Sequence, residues 1–463
     1  MGVFIKAPLR VKTKKIRKRY SLFSLNDEKK DALVADETLN CRVENGALCV
    51  GVGGSAMEFP LGEGAIASNG LPENSKLFFM PAVDGYGNQL ETIVALDNDG
   101  FYYTYDAYTR VWGYEREYGC KMRAVFVVNE DGKRRLVFIG KNACHFFVYG
   151  GITTRIPLEN LDEKSHFACY VQGRLFYVSA PYTLCYSTPF KTEDFAQSIK
   201  DGGSIQLPTQ YGDIVDVVAF FEKVYIFFEQ GIFCLETAGA ASEFKVKEVP
   251  YRGGNIFEDS MGVGGKCGEK LFFLTEQGVC KLEKDRVERV CKSLPFSIKG
   301  KGQVCGHGSF EGQYAVCFYD KNNEKKCIVV DGETEEGYYA FAPDCLSDYK
   351  GGAVCVFDGE VMSLHRSGVL PNESKATFFI GGLDFGESGR KRMETLRLEG
   401  TGEAEICIEN GKQSKVVRIA LDKGQGQAKI GLCGALFSIR FTLKEGTKFR
   451  AVDLALSKLL SAE

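Results

Sequence analysis

The sequence predicts an all-β protein, and three patterns carry that prediction. Residues 222–236 read EKVYIFFEQGIFCLE and residues 269–283 read EKLFFLTEQGVCKLE, the same phrase displaced by 47 residues. Looser versions of the phrase recur between Ile93 and Leu364. Beyond Pro371 the pattern changes to short runs of strict apolar–polar alternation. Two aromatic or β-branched runs about a short turn mark a β-hairpin. Strict alternation marks a strand with one buried face.

The hairpins come at a regular spacing. Their first strands start near Ile93, Leu136, Leu175, Val224, Leu271, Ala315 and Val354, at intervals of 43, 39, 49, 47, 44 and 39 residues. Room remains between them for one or two further strands, such as KMRAVFVV at 121–128 and FKVKEV at 244–249. Four strands in about 40–45 residues make one blade of a β-propeller. The expectation is a propeller of six or seven blades over residues 39–371. A closed ring leaves only short exposed edges, which disfavours aggregation. The sole tryptophan, Trp112, excludes a regular Trp-Asp repeat.

The flanking segments differ. Residues 6–19 carry eight Lys or Arg and no acid, so residues 1–38 are expected to form a basic arm. An arm of this kind is either a solvated terminus that orders on its neighbours or a docking element for an acidic partner or nucleic-acid phosphate. LNCRVENGALCVGV at 39–52 reads as a hairpin turning at Asn45–Gly46, and a glycine-rich linker follows to Gly70. PNESK at 371–375 reads as another linker. After it come ETLRLEG, AEICIE, KVVRIAL, QAKIGL, LFSIRFTL and AVDLALSKL, which predict a C-terminal antiparallel β-sandwich over 372–463.

Composition narrows the function. A net charge of −3 gives no global pull toward nucleic acid. No apolar run approaches the roughly 18–20 residues of a membrane helix, and no apolar core follows the basic start, so neither an anchor nor a secretion signal is expected. The 17 Cys include no Cys-x-x-Cys, and most stand within apolar runs, as Cys169, Cys234, Cys317 and Cys355 do. They read as buried thiols in a reducing compartment rather than zinc ligands.

No catalytic constellation stands out. His145, His166, His307 and His365 are far apart in the chain. Gly-x-Ser-x-Gly is missing, and Gly265-Lys266 is followed by Cys267 and a strand rather than by the Ser or Thr and helix of a phosphate loop. The acidic pairs Asp97/Asp99 and Glu335/Glu336 read as solvated turn carboxylates. No cofactor and no metal are expected. The candidate contact residues are Lys12, Lys14, Lys15, Arg17, Lys18 and Arg19 in the arm, with Arg390, Lys391 and Arg392 at the start of the C-terminal domain.

Four segments together resemble the propeller-type tail accessory, or DNA-stabilisation, proteins of tailed bacteriophages. They are ADETLNCRVENGALCVGVG at 35–53, LCYSTPFKTEDFAQS at 184–198, the two EQG hairpins with YRGGNIFEDSMGVGG at 251–265, and FFIGGLDFGESGRKRMETLRLEG at 378–400. The resemblance implies a non-enzymatic virion protein at the tail or head–tail connection, assembled in the bacterial cytoplasm. Implied partners are other tail, portal or connector proteins and copies of itself in a ring, with non-specific contact to packaged DNA. A different reading is a carbohydrate-binding or glycoside-hydrolysing propeller, for which Tyr102, Tyr103, Tyr105, Tyr108 and Trp112 offer rings that stack on sugars. A third is an intracellular scaffold propeller of cellular origin.

Overall fold

The computed structural model describes residues 13–459 apart from 21, 25–31, 35–36, 45, 51–52, 57–75, 84–88, 98, 107–110, 118, 133, 142, 149–151, 157–160, 181, 198–200, 266, 291–303, 333–335, 340–342, 344, 350–351, 358–359, 366–375, 422 and 445. The chain is all-β; among the described residues the one helical turn is Ala241–Glu243. It divides into two compact units. The larger holds residues 53–333 and 341–371, and the smaller holds 1–52, 334–340 and 372–463.

The larger unit is propeller-like, a succession of antiparallel meanders. Sheet 1 runs Lys76–Val83, Gln89–Leu96, Phe101–Asp106, Val111–Glu117, and sheet 2 runs Met122–Val128, Arg134–Gly140, Ala143–Val148, Ile152–Ile156. Sheet 3 is Ala168–Val171, Arg174–Ser179, Thr183–Tyr186, Gly203–Gln206, and sheet 4 is Ile214–Phe220, Lys223–Phe228, Gly231–Glu236, Lys245–Val249. Sheet 5 is Gly262–Gly264, Lys270–Thr275, Gly278–Glu283, Arg286–Arg289. Sheet 6 contributes Val304–Phe310, Gln313–Tyr319 and Lys325–Val330. Sheet 7 is Cys345–Tyr349, Gly352–Phe357 and Glu360–His365, completed by Gly53–Ala56 from the other end of the unit. First strands touch between sheets 2 and 3, 3 and 4, 5 and 6, 6 and 7, and 7 and 1, while sheet 2 meets sheet 1 through Gln89–Leu96.

Each repeated hairpin forms the second and third strands of its sheet. In EKVYIFFEQGIFCLE the turn is Glu229–Gln230, and glycine opens the next strand. A Cβ at Gly231 would lie 2.5 Å from the Tyr211 ring, while Gly278, its counterpart, holds φ at +120°. Both positions therefore demand glycine, for two different reasons.

Packing explains why these strands read as continuous apolar runs. Val224, Ile226 and Phe228 enter a core shared with sheet 3, beside Phe176 and Leu184. Tyr225 and Phe227 point the other way, into a core shared with sheet 5, beside Leu271 and Phe273. A strand covered on both faces has no solvated side on which to place polar residues.

The smaller unit contains two antiparallel sheets. One orders Ser414–Ala420, Glu403–Glu409, Phe437–Leu443, Ala376–Leu383 and Glu37–Leu39. The other is built on the long strand Lys448–Leu459, which pairs with Lys391–Thr401 on one side; Lys391–Thr401 pairs in turn with Gln425–Gly434. Along its other side lie Ala47–Val50 and Thr13–Tyr20. Burial alternates along these strands, as in Phe437–Leu443. Phe23 is fully buried, edge-on to Phe378 at 5.5 Å and Phe441 at 6.3 Å; Phe441 in turn meets Phe449 of the second sheet at 6.4 Å.

Within the expected basic arm, residues 13–20 form a strand that orders on Lys448–Leu459. Ile16, Lys18 and Tyr20 stand opposite Leu456, Leu454 and Val452, so apolar residues and the stem of Lys18 cover that edge. Several expectations are corrected. The hairpin Cys41–Glu44/Ala47–Val50 belongs to the smaller unit, although it was expected to begin the propeller. The glycine-rich linker contains the strand Gly53–Ala56, which has almost no side chain to betray it. Asp97 is buried, and its Oδ1 accepts the Asp99 N–H at 2.9 Å, so this turn carboxylate is not a solvated one.

Candidate interaction surface and axial charge cluster

The predicted contact residues separate into distinct environments. Lys12 lies outside the described residues. Lys14, Lys15, Arg17 and Arg19 are exposed along Thr13–Tyr20, and Lys18 is half-buried. Arg19 grips Glu399 with both nitrogens, at 3.1 and 2.7 Å, and reaches Asp453 at 3.1 Å. On the opposite side of the strand, the hydrogen bond from Lys458 holds the Glu387 carboxyl below its ordinary range, and Lys14 and Lys18 add to the effect.

Arg390–Lys391–Arg392 is not one basic cluster. Arg390 and Arg392 are exposed, whereas Lys391 is fully buried. Its ammonium donates to the carbonyls of Glu387 at 2.7 Å, Gly389 at 3.1 Å and Ala435 at 2.7 Å. Strand alternation sends neighbours to opposite faces, so one of the three had to turn inward. Lys391 therefore presents no charge to a partner, contrary to the expectation from sequence.

A second polar centre was not foreseen. It lies where the first strands of the larger unit begin. Arg123 of sheet 2 binds Asp216 of sheet 4 and reaches Asp259, just ahead of sheet 5, at 3.4 Å. Lys76 of sheet 1 binds Asp259 at 2.9 Å. Lys121 binds both Glu258 and Asp259. His166, ahead of sheet 3, faces Glu258 through Nε2 at 3.2 Å and donates from Nδ1 to the Glu163 carbonyl at 2.6 Å. Ion pairs therefore join sheets 1, 2 and 4 with the segments leading into sheets 3 and 5. A cavity of about 950 Å³ opens beside the cluster, with Lys121, His166, Glu258 and Asp259 in its wall.

The electrostatics follow from this pairing. Burial pushes the Asp259 carboxyl upward, but Lys76, Lys121 and Arg123 outweigh it and hold the group well below the usual carboxylate range. Glu258 is likewise lowered: burial opposes, and the hydrogen bond from His166 and the charge of Lys121 prevail. Burial, aided by Lys76 and Arg123, drives His307 of sheet 6 down to about 3. Its Nδ1 is sealed from solvent without a hydrogen-bond partner. Each charged group of the cluster has an opposite charge within reach, so the arrangement acts as a set of ties between sheets.

Acid is expected to loosen these ties. An unfolded histidine titrates near 6.5, whereas His307 in the fold stays neutral down to about 3. Between those limits the unfolded chain binds a proton that the folded chain refuses, so stability is lost as pH falls, by at most roughly 1.4 kcal/mol per pH unit. Asp259 extends the loss further, because its contribution disappears below the ordinary aspartate value of about 3.9. Urea midpoints measured from neutral pH to pH ~4 should fall in the native chain and fall less in His307→Gln. Equal slopes in the two proteins would refute the assignment.

The side chains of His145, His365, Tyr102, Tyr103, Tyr105 and Trp112, and the whole of Tyr108 and Glu335, lie outside the described residues. Described cysteines are free thiols, mostly buried. Among the described residues no group of His, Cys, Asp and Glu is arranged to hold a metal ion.

No protein-family model and no curated protein matches the chain. Among solved structures it is similar to virginiamycin B lyase from Staphylococcus aureus, at 10% identity over 63% of this chain and 99% of that one, with a TM-score of 0.42. It is also similar to the WD40 repeats of RRP9, at 9% identity over 68% and 99%, with a TM-score of 0.42. A third is the β-propeller domain of Myceliophteria thermophila Cps50 (Swd1), at 8% identity over 67% and 98%, with a TM-score of 0.40.

Proposed function

We propose that the chain is a non-enzymatic structural protein of a bacteriophage or prophage particle, placed in the tail or at the head–tail connection. The seven sheets of the larger unit are the blades of one propeller, with Gly53–Ala56 as the closing strand, and the two sheets of the smaller unit form a β-sandwich. Partners are tail, portal or connector proteins and further copies of this chain in a ring, assembled in the bacterial cytoplasm. The observation that carries the non-enzymatic reading is the axial cluster. Its acids and bases bind one another across several blades and stiffen the ring instead of presenting an unpaired acid, base or nucleophile. The particle assignment rests on the four segments that resemble tail accessory proteins.

The test is particle composition. Particles purified from a host that carries the gene should contain the chain at a fixed copy number. Deleting the gene should yield particles that lack infectivity or lose their DNA. Particles without the chain, and unaffected by its loss, would overturn the proposal.

A further inference from the structure

We infer that the outer face of the second sheet of the smaller unit binds the phosphate backbone of nucleic acid. Two basic segments more than three hundred residues apart in sequence are brought together on this face. Residues directly opposite across a strand pair share a face. Lys15, Ser457 and Arg392 therefore form one row, followed across the sheet by Cys433. Arg17, Ala455, Thr395 and Lys429 form the next, and Arg19, Asp453, Arg397 and Gln427 the third. The opposite face of the same strands carries Leu456, Leu454, Leu396 and Leu398, all buried. The cationic rows therefore look outward.

The free charge on this face is specific. Arg19 is taken up by Glu399 and Asp453. Arg397 is hydrogen-bonded to Gln425, and Arg392 lies 3.6 Å from Glu394 while remaining half exposed. No acid pairs with Lys15, Arg17 or Lys429 among the described residues, and all three are exposed. Rows spaced by two residues stand about 7 Å apart, on strands about 4.8 Å apart. The result is a flat field of cations over a floor of Ser457, Ala455 and Thr395.

This chemistry fits phosphodiesters better than an acidic protein. Protein interfaces are anchored by large apolar or aromatic side chains in a desolvated centre. The central positions here are serine, alanine and threonine. Lysine and arginine charges, with hydroxyl and amide groups beside them, are what phosphate oxygens accept hydrogen bonds from. None of the rows supplies an aromatic ring for base stacking, so the contact is to the backbone and independent of sequence.

The experiment is fluorescence anisotropy with the full chain and labelled random-sequence DNA, duplex and single-stranded, over a range of salt. With Lys15, Arg17, Arg392 and Lys429 engaged, log K should fall against log salt with a slope of about −3.6 on duplex and about −2.8 on single strands. Each of Lys15→Ala, Arg17→Ala and Lys429→Ala should reduce the duplex slope by about 0.9. Arg418→Ala makes the same charge change on the other sheet, where Arg418 pairs with Glu405, and should leave slope and affinity unchanged. Three outcomes would overturn the inference: no salt-dependent binding, equal loss in Arg418→Ala, or binding to polyglutamate but not DNA. The inference deepens the particle reading, yet its failure is separable. A chain that enters particles but does not bind DNA refutes only the face, whereas one that binds DNA but is missing from particles refutes only the particle role.

Discussion

Asp259→Asn is expected to destabilise the larger unit by about 3–5 kcal/mol, the usual cost of removing one partner from a buried ion pair. Asp259 is 9% exposed and, among the described residues, is the one carboxylate that Lys76, Lys121 and Arg123 all reach. The substitution keeps the volume and removes the charge. Lys121 retains Glu258 and Arg123 retains Asp216, but Lys76 loses the carboxylate it binds. Three cations then repel one another in a poorly solvated site. Because the ties run between different sheets, the loss should appear in the cooperative unfolding of the whole unit rather than in one loop. Urea denaturation followed by far-UV circular dichroism measures it. The double variant Lys76→Met/Asp259→Asn should recover part of the loss, since it removes the stranded cation along with the missing acid. A change within about 0.5 kcal/mol for Asp259→Asn, the range of an ordinary surface substitution, would show that the cluster does not hold the sheets together.

What the sequence made legible depended on burial. Strands such as Lys223–Phe228 and Lys270–Thr275 are covered on both faces, so their composition alone announces them. All six alternating C-terminal runs are strands for the complementary reason, one covered face and one open. First strands were harder to see because they carry other duties. Gly262–Gly264 is nearly bare, and a Cβ at Gly262 would sit 2.8 Å from the Tyr314 ring. Arg123 and Asp216 interrupt apolar runs, and a charge inside such a run is the signal that a buried partner exists. Which partner it finds is a matter of how sheets 2 and 4 come together, between positions 93 residues apart, and no local pattern encodes that.

The basic segments show the same limit at closer range. Both were visible as charge, but charge in sequence does not reveal facing. Pairing of Thr13–Tyr20 with Lys448–Leu459 supplies the facing: it directs Lys15 and Arg17 to the surface that Arg392 and Lys429 occupy. It also commits Arg19 to Glu399 and Asp453, so a residue that sequence placed with its neighbours is held in a local ion pair.

Lys391→Met provides the sharpest separation between charge as sequence shows it and charge as the fold uses it. Methionine keeps most of the buried stem and removes the ammonium. The carbonyls of Glu387, Gly389 and Ala435 then lose a shared donor in a site with no solvent access to Lys391. An unsatisfied buried polar group costs about 1–3 kcal/mol. Gly389 and Ala435 are exposed and Glu387 is half-buried, so water replaces part of the lost donor and the expected total is about 1–3 kcal/mol. That turn is itself demanding, with Phe385, Gly386 and Gly389 all at positive φ, and the ammonium binds two of its carbonyls. Loss of the ammonium should therefore also expose residues 384–390 to proteolysis before global unfolding. Arg390→Ala and Arg392→Ala, one and the same charge removed at exposed neighbours, should change stability by no more than about 0.5 kcal/mol. If all three variants behave alike in urea and in the protease assay, the buried lysine is not what fastens the turn to Ala435.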